Sequence, residues 1–212
     1  CIIKTGSPMK EILDYSKKSI NSSKILTKLK LSKRKYFVAS IHREENVDDS
    51  KKLNQIIKSL NTLLEKYKLK MILSLHPRTK QKIANQKIKF HKNIIECPPF
   101  GFHDYIHLQK NSYCVISDSG TIFEESSILG FPAITIREAN ERPEGVDEGA
   151  VIMCNGLNED EMIKSVDICV SHYKNNSPSI PLDYNVNEVS WKVLKSIFSY
   201  KDYVNKKTWF KD

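Results

Sequence analysis

Short apolar segments alternate with longer amphipathic segments along the whole chain, and this alternation constrains the fold most. The apolar segments have the length of strands and are bounded by polar or turn residues, which predicts six strands: Tyr36–Ile41, Met71–Leu75, Asn93–Cys97, Tyr113–Ile116, Ala133–Ile136 and Val151–Met153. Strands that are separated by helices need right-handed crossovers. The sequence therefore predicts a parallel, doubly wound α/β sheet of the Rossmann-like type.

The amphipathic segments predict the helices. The clearest one runs from Ser50 to Tyr67, where apolar residues recur at helical spacing: Leu53, Ile56, Ile57, Leu60, Leu63 and Leu64. Other helices are expected at Pro8 to about Leu31 with a break near Asn21, Thr79–Gln86, His103–Gln109, Ile122–Leu129, Glu159–Tyr173 and Val189–Val204.

Polar side chains follow four of the predicted strands at the point where each strand ends. His42 follows the first strand, His76 the second, Ser117 the fourth and Arg137 the fifth. The carboxyl ends of parallel strands lie at one edge of a sheet, and ligands of such folds bind there. The sequence therefore predicts a single site at this edge.

The turn Ser117–Gly120 joins the fourth strand to a helix that carries Glu124 and Glu125. Its hydroxyls and backbone N–H groups lie beside the positive end of a helix dipole, an arrangement that binds phosphate. A carboxylate one turn further along can accept bonds from ribose hydroxyls. The same turn is also a good helix N-cap without any ligand. Charged residues after the next strand favour the nucleotide interpretation: Arg137, Glu141, Arg142 and Glu144.

Three ordered segments resemble the non-hydrolysing UDP-N-acetylglucosamine 2-epimerases. Ser40–Asn46 is similar to the family's His-Arg-x-Glu-Asn loop, and Leu75–Pro77 is similar to its His-Pro turn. The run from Ser117 to Glu144 contains the Ser-Asp-Ser-Gly turn, the Glu-Glu pair and the Glu-Arg-Pro-Glu loop in the family's order. Finer details resemble the capsule and O-antigen branch that makes UDP-N-acetyl-L-fucosamine: Thr121–Phe123, Ile136–Ala139, Asp183–Val186 and Tyr200–Val204.

The resemblance implies a two-domain fold of the GT-B type, of which this chain is the second domain. Residues 1–212 are then one domain that binds a nucleotide-sugar, with a crossover and helical lead-in over 1–31 and an α/β core over 36–204. The family's first domain is absent, and the chain begins with Cys1 rather than Met, so we expect a fragment or the product of a split gene. The partner is the missing domain or a separate chain, and the complete protein is expected to be a homodimer.

The resemblance also implies the chemistry, which is inversion at C2 of a UDP-linked N-acetylhexosamine through elimination and re-addition of UDP, without an external cofactor. His42 is the implied catalytic residue, Ser119 and Gly120 carry over to the phosphate-binding turn, and Glu125 to the ribose-binding acid. Further residues are assigned to the substrate: Arg43, His76, Phe100, Ser117, Arg137, Glu141 and Arg142. The base and acid carboxylates are expected in the absent half.

Several of these residues also have simpler interpretations. Arg43 can form a salt bridge to Glu44 or Glu45, His76 can simply end a strand, and Phe100 can be a core aromatic. Glu124 is either a partner of the helix dipole or a ligand. Arg142 is expected to hold its loop more than to touch the substrate.

Composition narrows the function further. Thirty-four Lys and Arg against 25 Asp and Glu give a net charge of +9, but the lysines are spread singly and no basic stripe alternates with aromatic residues, so nucleic acid is not the expected partner. No P-loop or Rossmann glycine motif is present, which disfavours ATP and NAD. No apolar run has the length of a membrane span.

Four cysteines lie singly in apolar surroundings without metal-ligand spacing: Cys97, Cys114, Cys154 and Cys169. We expect them to be buried, reduced thiols of a cytoplasmic protein.

Two other functions remain open from the sequence. One is half of a nucleotide-sugar glycosyltransferase with a similar two-domain fold. The other is an inactive remnant, or a half that requires a partner. The His42 motif together with the Glu141–Glu144 loop favours the epimerase over the transferase.

Overall fold

A computed structural model describes residues 2–139, 141–176 and 178–211. Within them, six parallel strands form one sheet in the order β3-β2-β1-β4-β5-β6. The strands are β1 Tyr36–Ser40, β2 Lys70–Ser74, β3 Ile94–Cys97, β4 Val115–Ser117, β5 Ala133–Thr135 and β6 Ile152–Met153. The predicted fold class is confirmed, and the strand limits differ from the prediction by one or two residues.

Helices cover both faces of the sheet. They are α1 Met9–Asn21, α2 Ile25–Lys28, α3 Glu44–Val47, α4 Ser50–Tyr67, α5 Pro77–Asn85, α6 Phe102–Asn111, α7 Ile122–Leu129, α8 Pro143–Asp147, α9 Glu159–Asn175 and α10 Val189–Tyr203. A short π-helix, Val204–Thr208, continues α10. Helix α4 has its predicted limits because the Asp49 carboxylate caps its first turn and Lys68 ends it in the left-handed conformation.

Two segments predicted as loops contain short helices instead. In α3, the Arg43 carbonyl accepts from the N–H groups of Asn46 and Val47, so the His-Arg-Glu-Glu-Asn segment turns back on itself. In α8, Pro143 occupies the first helical turn, where its fixed φ favours a helix. Both corrections concern segments too short to show apolar periodicity.

The core consists of two apolar layers, one on each face of the sheet. Phe37 and Ala39 of β1 point into the layer beneath α4 and α9, whereas Tyr36 and Val38 point into the layer beneath α6 and α7. All four side chains are completely buried. This two-residue alternation is what a strand covered on both faces requires.

The strand order places a topological switch point between β1 and β4. The chain adds β2 and β3 on one side of β1, then returns to add β4, β5 and β6 on the other side. The connections that follow β1 and β4 therefore diverge and leave a crevice beyond the carboxyl ends of these strands, where open α/β sheets bind ligands.

Helix α10 differs from the other long helices. Of its described residues, Val189 alone is buried. Seven large apolar or aromatic side chains are between 41% and 66% exposed: Trp191, Val193, Leu194, Ile197, Phe198, Tyr200 and Tyr203. The helix is attached at its start, where the Glu11 carboxylate accepts the Ser190 N–H at 3.0 Å.

The cysteines are as predicted: Cys97, Cys114, Cys154 and Cys169 are free and buried. In the described part of the chain, no helix combines the length and the apolar character needed to cross a membrane.

Candidate functional site

Asp118 joins the two main sequence motifs across the switch-point crevice. This carboxylate is fully buried and accepts the backbone N–H groups of His42 and Arg43 at 3.0 and 2.9 Å. It also accepts the Asn46 amide at 3.1 Å, and the same amide donates to the Ile136 carbonyl at 3.0 Å. The loops that follow β1, β4 and β5 are therefore locked together at one point.

Asp118 also orients the His42 ring. Oδ1 of the carboxylate lies 3.1 Å from Nδ1 of His42, whose side chain is 49% exposed. The hydrogen bond to Asp118 raises the pKa of His42, against the opposing effect of burial. Burial raises the pKa of Asp118, but the bonds from His42, Arg43 and Asn46 outweigh it and leave that pKa lowered. An ionised, buried carboxylate thus favours a protonated imidazole at the crevice.

A cavity of about 250 Å³ opens beside His42, between the ends of β1, β2 and β3. Its lining combines polar groups with two aromatic rings: Ser40, His42, Ser74, His76, Pro99, Phe100 and Tyr105. Phe100 and Tyr105 are nearly parallel, with their centroids 6.4 Å apart. The Tyr105 hydroxyl is buried without a hydrogen-bond partner among the described residues. The cavity offers a flat apolar wall and polar groups, as a planar base requires.

His76 belongs to this cavity but not to the Asp118 cluster. It is the N-cap residue of α5, and its Nδ1 accepts the Arg78 N–H at 3.4 Å. Helix capping is therefore one structural role of His76, and it differs from the expected alternative, in which His76 simply ends a strand.

Arg137 is the most unusual charged group of the crevice. Only 2% of the residue is exposed, and Nη2 donates to Glu141 Oε1 at 2.7 Å. Nε and Nη1 are buried without a hydrogen-bond partner among the described residues. A Cβ atom on Gly120 would lie 3.4 Å from Nη1, so the guanidinium lies directly against the Ser-Asp-Ser-Gly turn. Buried donors without partners are costly, and an anion at this place would satisfy them.

Glu141 bridges two arginines at the mouth of the crevice. Its Oε1 and Oε2 lie within 3.4–3.5 Å of the Arg43 guanidinium, in addition to the shorter bond from Arg137. The bond from Arg137 lowers the pKa of Glu141, with a further contribution from Arg43. An acidic side chain therefore occupies the place between two cations where a phosphate would be stabilised.

The turn itself has an internal hydrogen-bond pattern. Ser117 is buried, and its hydroxyl accepts the Ser119 N–H at 3.1 Å, so it shapes the turn from below. Ser119 shares a 3.0 Å hydrogen bond with the Thr121 hydroxyl. Thr121 is the N-cap residue of α7 and makes no side-chain capping bond to it. Ser119 Oγ also accepts the Thr121 N–H at 3.4 Å, so the turn helps to cap the start of α7. The N-cap interpretation therefore holds for Ser119, and the phosphate-binding interpretation stays a prediction.

The two adjacent acids of α7 point to different surroundings. Glu125 is 7% exposed and accepts from the Gln109 amide at 2.8 Å and the Thr121 hydroxyl at 2.9 Å. Burial raises the pKa of Glu125 to about 7. Glu124 accepts the Ser7 hydroxyl at 2.5 Å and lies 3.9 Å from Arg142 Nη2. Glu124 and Arg142 thus form a separate contact beside the predicted site.

Sequence reasoning missed four residues that organise the site: Asn46, Asp118, Tyr105 and Gln109. Asp118 and Asn46 lie inside the two motifs, and an acid between two turn serines was an available signal. Tyr105 and Gln109 lie four residues apart on α6, which is the spacing of one helix face. Nothing in the sequence indicated that this face meets Glu125.

Comparison with known proteins agrees with these motifs. A family model described as UDP-N-acetylglucosamine 2-epimerase matches residues 1–197. The UDP-N-acetylglucosamine 2-epimerase of Methanocaldococcus jannaschii is 38% identical over 144 residues, which are 66% of this chain and 39% of that protein. The UDP-2,3-diacetamido-2,3-dideoxy-D-glucuronate 2-epimerase of Pseudomonas aeruginosa is 32% identical over 130 residues, 61% of this chain and 36% of that one.

Solved structures give the same result. The structure of UDP-N-acetylglucosamine 2-epimerase from Rickettsia bellii has a TM-score of 0.85 and 39% identity, over 98% of this chain and 56% of that one. The Methanocaldococcus jannaschii UDP-GlcNAc 2-epimerase in complex with UDP-GlcNAc and UDP has a TM-score of 0.82 and 28% identity, over 92% of this chain and 54% of that one. The chain thus spans about half the length of these solved relatives, and less of the curated ones.

Proposed function

Because this chain belongs to the UDP-N-acetylglucosamine 2-epimerase family, we propose that it is the UDP-binding half of a sugar-nucleotide 2-epimerase. The observation that carries the proposal is the bonding of Asp118 to the His42 loop across the crevice, next to the unpartnered donors of Arg137. A proton donor and an anion site thereby meet at the switch point. The fold of the chain is that of one domain of a GT-B-type protein.

The diphosphate is proposed to lie on the turn, against Ser119, Gly120 and Arg137. There it takes the place that Glu141 now holds between Arg137 and Arg43, and it supplies acceptors for Nε and Nη1. Phosphate oxygens bind arginine through paired, charge-assisted hydrogen bonds, so the exchange of one acceptor for another needs little rearrangement of the guanidinium groups.

The nucleoside is proposed to occupy the neighbouring wall. Glu125 accepts the ribose hydroxyls, because each carboxylate oxygen retains a second acceptor site beside its bond to Gln109 or Thr121. The uracil ring enters the cavity lined by Phe100, Tyr105 and His76. Ser117 supports the turn from below, and Arg142 supports the Glu141 loop.

The proposed reaction inverts C2 of a UDP-linked N-acetylhexosamine. A base removes the C2 proton while the bond between C1 and the diphosphate oxygen breaks, and the C–H electron pair forms a C1–C2 double bond. UDP then re-adds as C2 is protonated on the opposite face. His42 donates a proton through Nε2 to the departing diphosphate, a role for which its raised pKa is favourable. The base and acid at C2 are assigned to the half that this chain does not span.

The complementary half is the proposed partner, either as a preceding domain or as a separate chain. The match to the Rickettsia bellii structure covers 98% of this chain, so α10 belongs to the shared fold, and 44% of that structure remains outside the match. That remainder is the proposed cover for the exposed apolar side chains of α10.

The complete enzyme is proposed to be a homodimer that acts in surface polysaccharide synthesis, on a substrate of the UDP-N-acetyl-L-fucosamine branch. A cytoplasmic location is supported by four buried free thiols.

Calorimetric titration of the chain with UDP, uridine and ATP tests the nucleotide assignment. UDP should bind more tightly than uridine, because the donors of Arg137 are proposed to bind the phosphates. UDP should also bind more tightly than ATP, because the cavity beside His42 is proposed to hold uracil. Tighter binding of ATP than of UDP would contradict the proposal.

A further inference from the structure

Two segments far apart in the sequence lie side by side at one end of the molecule. We call residues 2–8, which lead into α1, and residues 183–188, which lead into α10, the joint. The Ser7 N–H donates to the Asp183 carbonyl at 2.8 Å, and Lys4 Nζ lies 2.7 Å from Asp183 Oδ1. Gly6 has a φ of +86°, and a Cβ atom there would approach Val186 to 2.8 Å. Close packing of backbone against side chain thus fixes the two segments together.

Each segment of the joint makes one side-chain hydrogen bond to the elements of the nucleotide site. Ser7 donates to Glu124 of α7 at 2.5 Å, and the Tyr184 hydroxyl donates to Glu144 of α8 at 2.9 Å. Glu124 is 3% exposed and Tyr184 is 1% exposed. These two bonds tie the joint to α7 and α8, the helices that border the phosphate turn and the Glu141 segment.

The anchored elements carry the anion site. Glu144 lies three residues after Glu141, the side chain that bridges Arg137 and Arg43. Helix α8 also packs directly on α7, since a Cβ atom on Gly145 would come within 2.8 Å of Phe123. A shift of α8 relative to α7 therefore changes the distance between the Glu141 segment and the phosphate turn.

We propose that Tyr184 and Ser7 are positioning residues that hold the 141–145 segment over the phosphate turn and couple the joint to nucleotide binding. The inference rests on the proposed UDP site and adds a control over it. Neither residue touches the nucleotide.

Removal of a single hydroxyl tests the coupling. In Tyr184→Phe the ring still fills its pocket, but the bond to Glu144 is lost, and UDP affinity should fall about five- to tenfold. Uridine affinity should be unchanged, because the cavity for the base lies on the other side of the turn. The matched control is Tyr67→Phe, which removes a tyrosine hydroxyl bonded to Asp167 where α4 meets α9 and should leave both affinities unchanged.

Two further measurements separate positioning from general destabilisation. Glu144→Ala should reproduce the loss of UDP affinity, and the double variant with Tyr184→Phe should be no weaker than either single variant. Amide hydrogen exchange over residues 141–148 should accelerate in Tyr184→Phe and Ser7→Ala, but not in Tyr67→Phe.

The outcomes also separate this inference from the proposed function. Unaltered UDP binding by Tyr184→Phe, or an equal loss for UDP and uridine, would overturn the coupling and leave the nucleotide site standing. Failure of the unmodified chain to bind UDP would overturn the nucleotide site itself.

Discussion

Folded proteins usually bury apolar side chains and expose charged ones, and the switch-point crevice and the surface of α10 depart from this rule in opposite ways. In the crevice, charged groups are buried, and part of their hydrogen-bonding capacity has no partner among the described residues, as with Arg137. On α10, large apolar side chains such as Phe198 and Ile197 face outward. Folded proteins seldom retain either feature without a use. The difference teaches what kind of partner each region needs: a polar, anionic ligand in the crevice and an apolar protein surface on the helix.

The largest expected effect concerns His42 in the assembled enzyme. We expect His42→Ala to lower turnover by about two to four orders of magnitude, because the departing diphosphate loses its proton donor. The measurement is epimerisation by this chain combined with the part of the Rickettsia bellii epimerase outside the match. His172→Ala, an exposed histidine on α9, is the control. Equal turnover of the two variants would remove His42 from the chemistry.

The buried charged groups of the crevice also predict that the stability of the fold depends on pH. Burial raises the folded-state pKa of Glu125 from 4.5 to about 7, so the folded protein binds more protons than the unfolded chain between these values. Stability should therefore fall as pH rises through this window, by an amount on the order of 3 kcal/mol.

Glu125→Gln should remove this loss of stability with rising pH, because glutamine stays neutral and can still accept a hydrogen bond from Gln109 or Thr121. Urea unfolding at pH 5 and pH 8 measures it in both proteins. If the variant loses as much stability as the original chain over this range, another group is responsible.

The exposed apolar side chains of α10 predict that a charge placed among them weakens association with the complementary half. Phe198→Asp should weaken association with the complementary half by about 30-fold or more, the effect of removing an aromatic anchor from an interface. The isolated chain should unfold at the same urea concentration, since the ring is 66% exposed there. Ser199→Asp adds the same charge to the next position and serves as the control. Sedimentation would contradict the account if both variants associate like the original chain.

The smallest expected effect is on nucleotide affinity. Arg137→Met keeps the length and much of the volume of the side chain but removes the donors that face the turn. UDP affinity should fall about tenfold, with little change for uridine. Arg34→Met removes a guanidinium that bonds to the Ser112 carbonyl, away from the crevice, and should leave UDP binding unchanged. Titration calorimetry distinguishes the two variants.

The predictable features were those that local patterns determine. The periodic segment 50–67 gave the limits of α4, and the alternation of elements gave the parallel sheet. The two sequence motifs were correctly expected at one edge of the sheet, because strand polarity alone places them there. The roles of the individual site residues remain predictions.

The features that could not be predicted from the sequence depend on tertiary contacts. Glu124 and Glu125 are adjacent in sequence, yet one contacts Ser7 and the other contacts Gln109, residues that lie 117 and 16 positions away. The outward position of the α10 side chains was equally invisible, because amphipathic periodicity predicts a helix without indicating what covers its apolar side. Asp118 was overlooked because its partners come from a loop 72–76 residues earlier in the chain.

The central claim is that this chain supplies one wall of a two-walled active site, and solvent-deuterium exchange at C2 tests it most directly. UDP-N-acetylglucosamine is incubated in D₂O with the chain alone, with the complementary half alone and with both, and C2 is followed by NMR. The account predicts deuterium at C2 only when both halves are present, because it assigns the base and acid to the other half. Deuterium incorporated by this chain alone would show that the groups that act at C2 lie within its 212 residues, and would contradict the account.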